Sequence, residues 1–131
     1  MIVPEQQEDM PAVGLDLLVV AVFAVLGRAS HGESLAVGDV VHTALPFWAA
    51  VLVTHLAFRF GRRSTRSPAV GAIVWLTTWG GGILLRLPLG DTAEWPFVLV
   101  AGGILAVGLV GWRLVMLLAG RSPRRSRPTA P

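Results

Sequence analysis

The sequence predicts an all-α integral membrane protein, in which four transmembrane helices form an up-down-up-down bundle with both termini in the cytoplasm. Three observations support this fold class. First, 53% of the 131 residues are hydrophobic, whereas soluble domains contain about 45–50%. Second, the hydrophobic residues form four long stretches, and none of these alternates in polarity as the strands of a membrane barrel do. Third, all eleven basic residues are arginines, and nine of them flank the same ends of these stretches.

The first two helices are predicted from the first two apolar stretches. Residues 1–12 form an acidic tail, and the first helix is predicted over residues 13–29, after Pro11, a residue that suits a helix start. This stretch is barely long enough to span a bilayer. The second helix is predicted over residues 40–60, and its 21 residues extend about 31 Å, which matches a hydrocarbon core of about 30 Å.

The third and fourth helices are predicted over residues 69–87 and 96–119, and they complete a membrane domain over residues 13–119. Connections of about eight to ten residues make successive helices antiparallel. Residues 120–131 combine arginine with proline, so we expect a disordered cytoplasmic tail that is attracted to lipid headgroups.

The distribution of arginine gives the bundle a direction. Nine arginines lie around the second connection, in the C-terminal tail or near the end of the last helix, namely Arg59, Arg62, Arg63, Arg66, Arg113, Arg121, Arg124, Arg125 and Arg127. Arg28 and Arg86 lie at the opposite end. Because cytoplasmic segments carry the excess of positive charge, both termini are expected in the cytoplasm and the chain in the plasma membrane, the cell inner membrane. The expected partners are the bilayer and its anionic headgroups, and not nucleic acid.

Composition and motifs exclude several kinds of chemistry. The chain has no cysteine, so it forms no disulfide or thiolate-held metal site, and its three histidines are its only nitrogen ligands. It contains no phosphate-binding loop, nucleophile elbow, metalloprotease helix or dinucleotide fingerprint. We therefore predict no catalytic residue, no metal and no cofactor.

Two charged residues inside the apolar stretches are predicted to form a buried ion pair. An unpaired charge in the middle of a bilayer costs about 2.5–3.5 kcal/mol, so such residues need partners or water. Asp16 shares a helical face with Gly27, and Arg113 shares one with Gly102, and small residues line close helix contacts. The alternative is that each side chain extends to the membrane interface. If the two residues pair, a packing role is favoured over a proton relay.

A second polar group is predicted at the outer ends of three helices. Its members are Arg28, His31, His42 and Arg86. Arginine presents a rigid set of donors for phosphate or carboxylate, so this cluster could hold an anion or a headgroup. The alternative is that these interfacial arginines pair with the acidic residues nearby, which are Glu33, Asp39, Asp91 and Glu94.

Aromatic and helix-distorting residues give weaker indications. Trp75, Trp79 and Trp112 are predicted to pack helices together, and Arg86 shares a stripe with the first two, so it could lie over an indole face. His55 is expected at the cytoplasmic interface, on a different face from His42. Two features could loosen their helices, namely Pro46 and the run Gly80, Gly81 and Gly82.

Several short segments in order resemble a known family. They are G-R-A-S-H-G-E (27–33), T-A-L-P-F (43–47), W-L-T-T (75–78), Arg86 and G-W-R (111–113). Together they resemble the small bacterial and archaeal membrane family known as domain of unknown function 3054, from about Asp16 to Arg113. The family pattern maps onto Asp16, Phe23, Gly27, Arg28, His31, Thr43, Pro46, Phe47, Trp75, Thr78, Arg86, Phe97, Trp112 and Arg113. The resemblance implies a four-helix membrane protein and no particular activity.

Three classes of function fit these observations. The first is a non-enzymatic scaffold or accessory subunit of a membrane assembly, with a second copy or another membrane protein as its partner. The second is a small transporter or channel that uses Asp16 and Arg113 or the outer cluster. The third is a lipid-modifying or redox enzyme, with His31 as a base or His42 as an axial ligand. The sequence favours the first.

Overall fold

The chain forms four consecutive helices. The computed structural model describes residues 10–88, 90 and 94–120, and the regular structure in this part is entirely helical. The helices are α1 (Met10–Ser30), α2 (Val37–Phe60), α3 (Pro68–Arg86) and α4 (Trp95–Gly120). Each is long and apolar enough to cross a membrane. The predicted all-helical fold with four such helices is confirmed, whereas the predicted disorder after residue 120 lies outside the described residues.

The helices begin slightly earlier than the apolar stretches that predicted them. Helix α1 begins three residues before position 13, and α2 begins three residues before position 40. The first turn of α2 includes Asp39, whose negative charge is favourable at a helix N-terminus. Helix α3 begins with Pro68, directly after Ser67, whose hydroxyl accepts a hydrogen bond of 3.2 Å from the Val70 N–H. Of these helices, α3 therefore has a polar side-chain cap, whereas Ala36 before α2 makes no side-chain capping bond.

The residues expected to loosen two helices do not interrupt them. Helix α2 continues through Pro46, and α3 continues through its three consecutive glycines. Two of these glycines, Gly81 and Gly82, instead allow α2 and α3 to approach each other closely. A Cβ atom at Gly82 would overlap the ring of Phe47, and one at Gly81 would lie 3.2 Å from the Cβ of Ala50. Gly81 and Gly82 therefore form a packing surface, as small residues often do between membrane helices.

The four helices pack in a ring, in which each contacts its neighbours in the chain and α1 also contacts α4. Indole groups link these neighbours through backbone carbonyls. Trp48 of α2 donates to the carbonyl of Leu17 in α1, at 2.9 Å. Trp79 of α3 donates to the carbonyl of Val98 in α4, also at 2.9 Å. Because indole N–H groups must find an acceptor when water is excluded, these bonds fix the helices against each other.

The bundle buries one pair of opposite charges and exposes many large apolar side chains. Asp16 and Arg113 are both completely buried, whereas Leu18, Leu84 and Val107 are more than half exposed. The interior also holds a cluster of buried apolar residues formed by Val20, Phe23, Ala24, Ala44, Phe47, Val51, Val74, Ala101, Leu105 and Leu109. The other buried polar residues in the described part of the chain are Thr43, Thr54, His55, Thr65 and Thr78. This distribution suits a protein surrounded by lipid, in which the exterior can be apolar and buried charges must be paired.

Candidate functional site

Asp16 is the centre of a buried hydrogen-bond network in one half of the bundle. Its Oδ1 accepts from Trp112 Nε1 and from Arg113 Nη1, each at 2.8 Å. Its Oδ2 accepts from Arg113 Nη2 at 2.7 Å and contacts His55 Nε2 at 2.6 Å. We call these four residues the Asp16 network. It joins α1, α2 and α4, and it contains the pair of charges that the sequence predicted to meet.

Arg113 binds Asp16 through two parallel bonds and is held by three further contacts. Its Nε donates to the carbonyl of Thr65 in the α2–α3 connection, and its Nη1 also donates to the carbonyl of Leu109, both at 2.8 Å. Its guanidinium carbon lies 4.5 Å from the centre of the Trp112 ring. A Cβ atom at Gly71 of α3 would lie only 2.6 Å from Arg113 Cδ, so a glycine there makes room for the arginine.

His55 was expected at the cytoplasmic interface, and the structure shows that its ring lies inside the bundle. Its side chain is 6% exposed and contacts Asp16 inside the bundle. Because an ionised carboxylate has no proton to give, Nε2 must be the donor in this contact. Trp48 precedes His55 by two helical turns and so lies on nearly the same face of α2, and it also contacts α1. The face of α2 that carries His55 could be derived from the sequence. The burial of its ring and its contact with Asp16 could not.

The three tryptophans predicted to pack helices have different contacts. Trp75 and Trp79 stack with a ring separation of 5.4 Å and an angle of 7°. Both donate to carbonyls of α4, and the acceptor of Trp75 is Gly102 at 2.9 Å. Trp112 instead belongs to the Asp16 network, where it donates to the carboxylate. Its position next to Arg113 in the sequence was the signal that could have indicated this role.

The Asp16 network has little capacity left for chemistry. Each carboxylate oxygen already has two partners, which uses the roughly four acceptor positions of a carboxylate. A general base needs a lone pair that a substrate can reach, and both Asp16 and Arg113 are fully buried. In the part of the chain that the structure describes, no group of three His, Asp or Glu residues could hold a metal ion. The arrangement suits a structural ion pair.

The four residues of the predicted outer cluster line one cavity in the other half of the bundle. This cavity, which we call the outer pocket, has a volume of about 310 Å³ and also includes Phe23, Gly27, Glu33, Thr43, Gly90 and Phe97. Arg28 lies at its wall and donates through Nη1 to Thr43 Oγ1 at 3.0 Å and to Glu33 Oε2 at 3.2 Å. Its Nε donates to the carbonyl of Ser34 at 2.6 Å.

Arg86 reaches the outer pocket from α3, but it does not lie over an indole ring as the sequence suggested. Its guanidinium carbon lies 4.2 Å from the centre of the Phe97 ring in α4. The indoles of Trp75 and Trp79 stack on each other and bond to α4. The helical stripe therefore placed Arg86 on the correct side of α3, facing α4, and only the identity of the aromatic partner differs.

A comparison with known protein families gives a match over most of the chain. A family model described as protein of unknown function (DUF3054) matches residues 13–116. This match confirms the resemblance that the short segments indicated. It covers Asp16, His55 and Arg113 of the Asp16 network and the helical residues that line the outer pocket. No curated protein and no solved structure matches the chain.

Proposed function

Because this chain belongs to the DUF3054 family, a family whose description names no activity, we propose that it is a non-enzymatic scaffold or accessory subunit of a membrane assembly. The observation that carries this proposal is that hydrogen bonds occupy the acceptor positions of the Asp16 carboxylate. Its four hydrogen bonds join three helices, and through Arg113 they also reach the carbonyl of Thr65. Charges used in this way stabilise a framework, whereas a transport or catalytic site must leave a group that its substrate can reach.

The outer face of α4 supports a helical partner. Cβ atoms added at Gly103 and Gly111 would meet nothing within 4 Å among the described residues, and Val107 between them is 76% exposed. These three positions are four residues apart and therefore lie along one face of the helix. Small residues at such spacing let a second membrane helix approach closely. The proposed partner is a second copy of this chain or another membrane protein.

A leucine at Gly103 is expected to weaken this association at least about tenfold, or about 1.4 kcal/mol, because its side chain would separate the two helix backbones. The chain has no cysteine, so Val107→Cys introduces one thiol on this face. If the partner is a second copy, a bifunctional thiol reagent should cross-link two chains in membranes. If the partner is another membrane protein, native mass spectrometry should detect it bound to the chain.

The matched control is Gly80→Leu. Gly80 also has open space around the position of a Cβ, but it lies on α3. Association should survive this change. A protein that neither cross-links nor retains a membrane partner would contradict the proposal, as would equal losses in the two leucine variants.

We further propose that the chain lies in the plasma membrane with both termini in the cytoplasm. The arginines of the α2–α3 connection support this orientation, because positive charge is retained on the cytoplasmic side. In intact cells, a membrane-impermeant thiol reagent should label Ser34→Cys in the α1–α2 connection. It should label Ser64→Cys in the α2–α3 connection only after permeabilisation. The reverse pattern would refute the orientation.

A transporter or channel is the competing role. It would need a path between the outer pocket and the Asp16 network, and three buried apolar residues of the core, Phe47, Val51 and Leu105, are completely inaccessible in this conformation. This packing favours the scaffold. Proton or anion flux into vesicles that contain the purified protein would favour transport instead.

A further inference from the structure

The outer pocket is formed where all four helices end or begin. Arg28 is contributed by α1, His42 and Thr43 by α2, Arg86 by α3 and Phe97 by α4. A ligand in this cavity would therefore contact every helix of the bundle. Its volume of about 310 Å³ is at the lower end of the range of small-molecule sites, about 300–1,000 Å³. The pocket is larger than a single inorganic ion requires.

The polar groups of the outer pocket favour an anion. Two arginines and two histidines line it, against one glutamate among the described lining residues. Arg28 Nη2 and the ring nitrogens of His31 have no hydrogen-bond partner within the described part of the chain. Glu33 is bonded to Arg28 Nη1 and so holds that guanidinium at the wall. These donors can therefore face the cavity.

The arrangement of the donors favours phosphate over carboxylate. The arginines and histidines come from α1, the α1–α2 connection, α2 and α3, so they line the cavity from several directions. A carboxylate has two oxygens in one plane, whereas a phosphate ester offers three or more oxygens in a tetrahedral arrangement. Guanidinium groups bind such oxygens in pairs. A donor set that surrounds the cavity matches the tetrahedral anion.

The floor of the outer pocket is aromatic. Phe23 lines it with Phe97, and their ring centres are 6.1 Å apart. Arg86 lies over the Phe97 ring, which orients its guanidinium. The Phe47 ring packs against both of these rings, with its centre 5.0 Å from that of Phe23 and 6.4 Å from that of Phe97. An apolar floor next to fixed cations suits an ester, in which a carbon chain is attached to the phosphate.

We propose that the outer pocket binds a phosphate ester anion, supplied either by a small soluble ester or by a phospholipid headgroup. Arg28 and Arg86 neutralise the phosphate, and His31 and His42 complete the set of polar contacts. This site goes beyond the scaffold role, because it gives the bundle a ligand that does not involve the α4 face.

Binding can be tested on the full chain purified in dodecyl maltoside, a detergent without phosphate. One arm titrates sn-glycerol 3-phosphate by calorimetry, and the other adds phosphatidylglycerol and follows retention by native mass spectrometry. Wild-type protein should bind at least one of these probes. Arg86→Gln and His31→Gln should each weaken that binding about tenfold or more. His31→Gln is the safer variant for folding, because the His31 side chain makes no hydrogen bond to the rest of the described chain.

The matched control is Arg63→Gln, which removes the same charge from an exposed position in the α2–α3 connection, at the other end of the bundle. It should leave binding unchanged. Binding of the soluble ester alone or of the lipid alone would support the site and identify the source of the phosphate. If neither probe binds, if the pocket variants bind as tightly as the wild type, or if Arg63→Gln loses as much affinity as they do, the proposal is wrong.

Discussion

Replacing Arg113 with glutamine is expected to lower the free energy of unfolding by about 3–5 kcal/mol, because removing one member of a buried ion pair leaves the other charge uncompensated. Asp16 would lose two of its four hydrogen bonds and its positive partner. The carbonyls of Thr65 and Leu109 would lose donors as well. Chemical unfolding in mild detergent measures the effect, with helix content followed by circular dichroism.

The companion variants form a double-mutant cycle. Asp16→Asn is also expected to be strongly destabilising, since it leaves the guanidinium of Arg113 buried without its charge partner. The double variant Asp16→Asn with Arg113→Gln should lose less than the sum of the single losses, by about 0.5–3 kcal/mol. Arg63→Gln is the control and should change stability by less than about 0.5 kcal/mol, because this arginine is exposed. Additive losses in the cycle would show that the two residues do not interact.

The second large effect is expected at Gly82, where alanine should destabilise the bundle by about 1–3 kcal/mol, a typical cost of overpacking a core. The added methyl group would occupy the space of the Phe47 ring, which is completely buried. That ring cannot move aside freely, since it meets Phe23 edge to face at 5.0 Å and an angle of 75°. The unfolding assay described for Arg113 also measures this loss.

Two further variants make the test at Gly82 specific. Gly80→Ala lies on the same helix in open space, so it should be neutral or stabilising by up to about 1 kcal/mol through helix propensity. Phe47→Leu removes the ring from the site of the clash. Phe47→Leu should therefore lower the free energy of unfolding less in the Gly82→Ala background than in the wild-type background. If Gly82→Ala and Gly80→Ala have the same stability, the close approach of α2 and α3 is not as described.

Much of the fold could be predicted because membrane helices follow simple physical constraints. Length and apolar composition identify each helix, since backbone groups in lipid must bond within their own segment. The first residues of α1 and α2 were missed because the backbone turns of a helix extend past its apolar stretch, and helix ends differ by about one or two residues even between assignment methods. The packing of Gly82 against the Phe47 ring was missed, because the sequence does not show whether a glycine in a helix bends that helix or makes room for a neighbouring ring.

The candidate sites were predictable where helical faces alone determine them. Asp16 and Arg113 could be placed because each shares a face with small residues and because unpaired charges are costly in lipid. The contact with His55 could not be predicted, because it depends on how far α2 is shifted along α1. The aromatic partner of Arg86 depends in the same way on the rotation of α4 against α3. Relative shifts and rotations of helices come from packing, which one sequence does not show.

The contact between the first and last helices also has a consequence for synthesis. Asp16 and Arg113 are separated by 97 positions in the chain, and Asp16 and His55 by 39. When α1 first enters the membrane, none of the donors that surround its carboxylate has been made. His55 becomes available with α2, but the arginine follows only when α4 has been translated. The contact between α1 and α4 through Asp16 and Arg113 therefore forms after the contact between α1 and α2. Until Arg113 is present, Asp16 must stay near water or carry a proton.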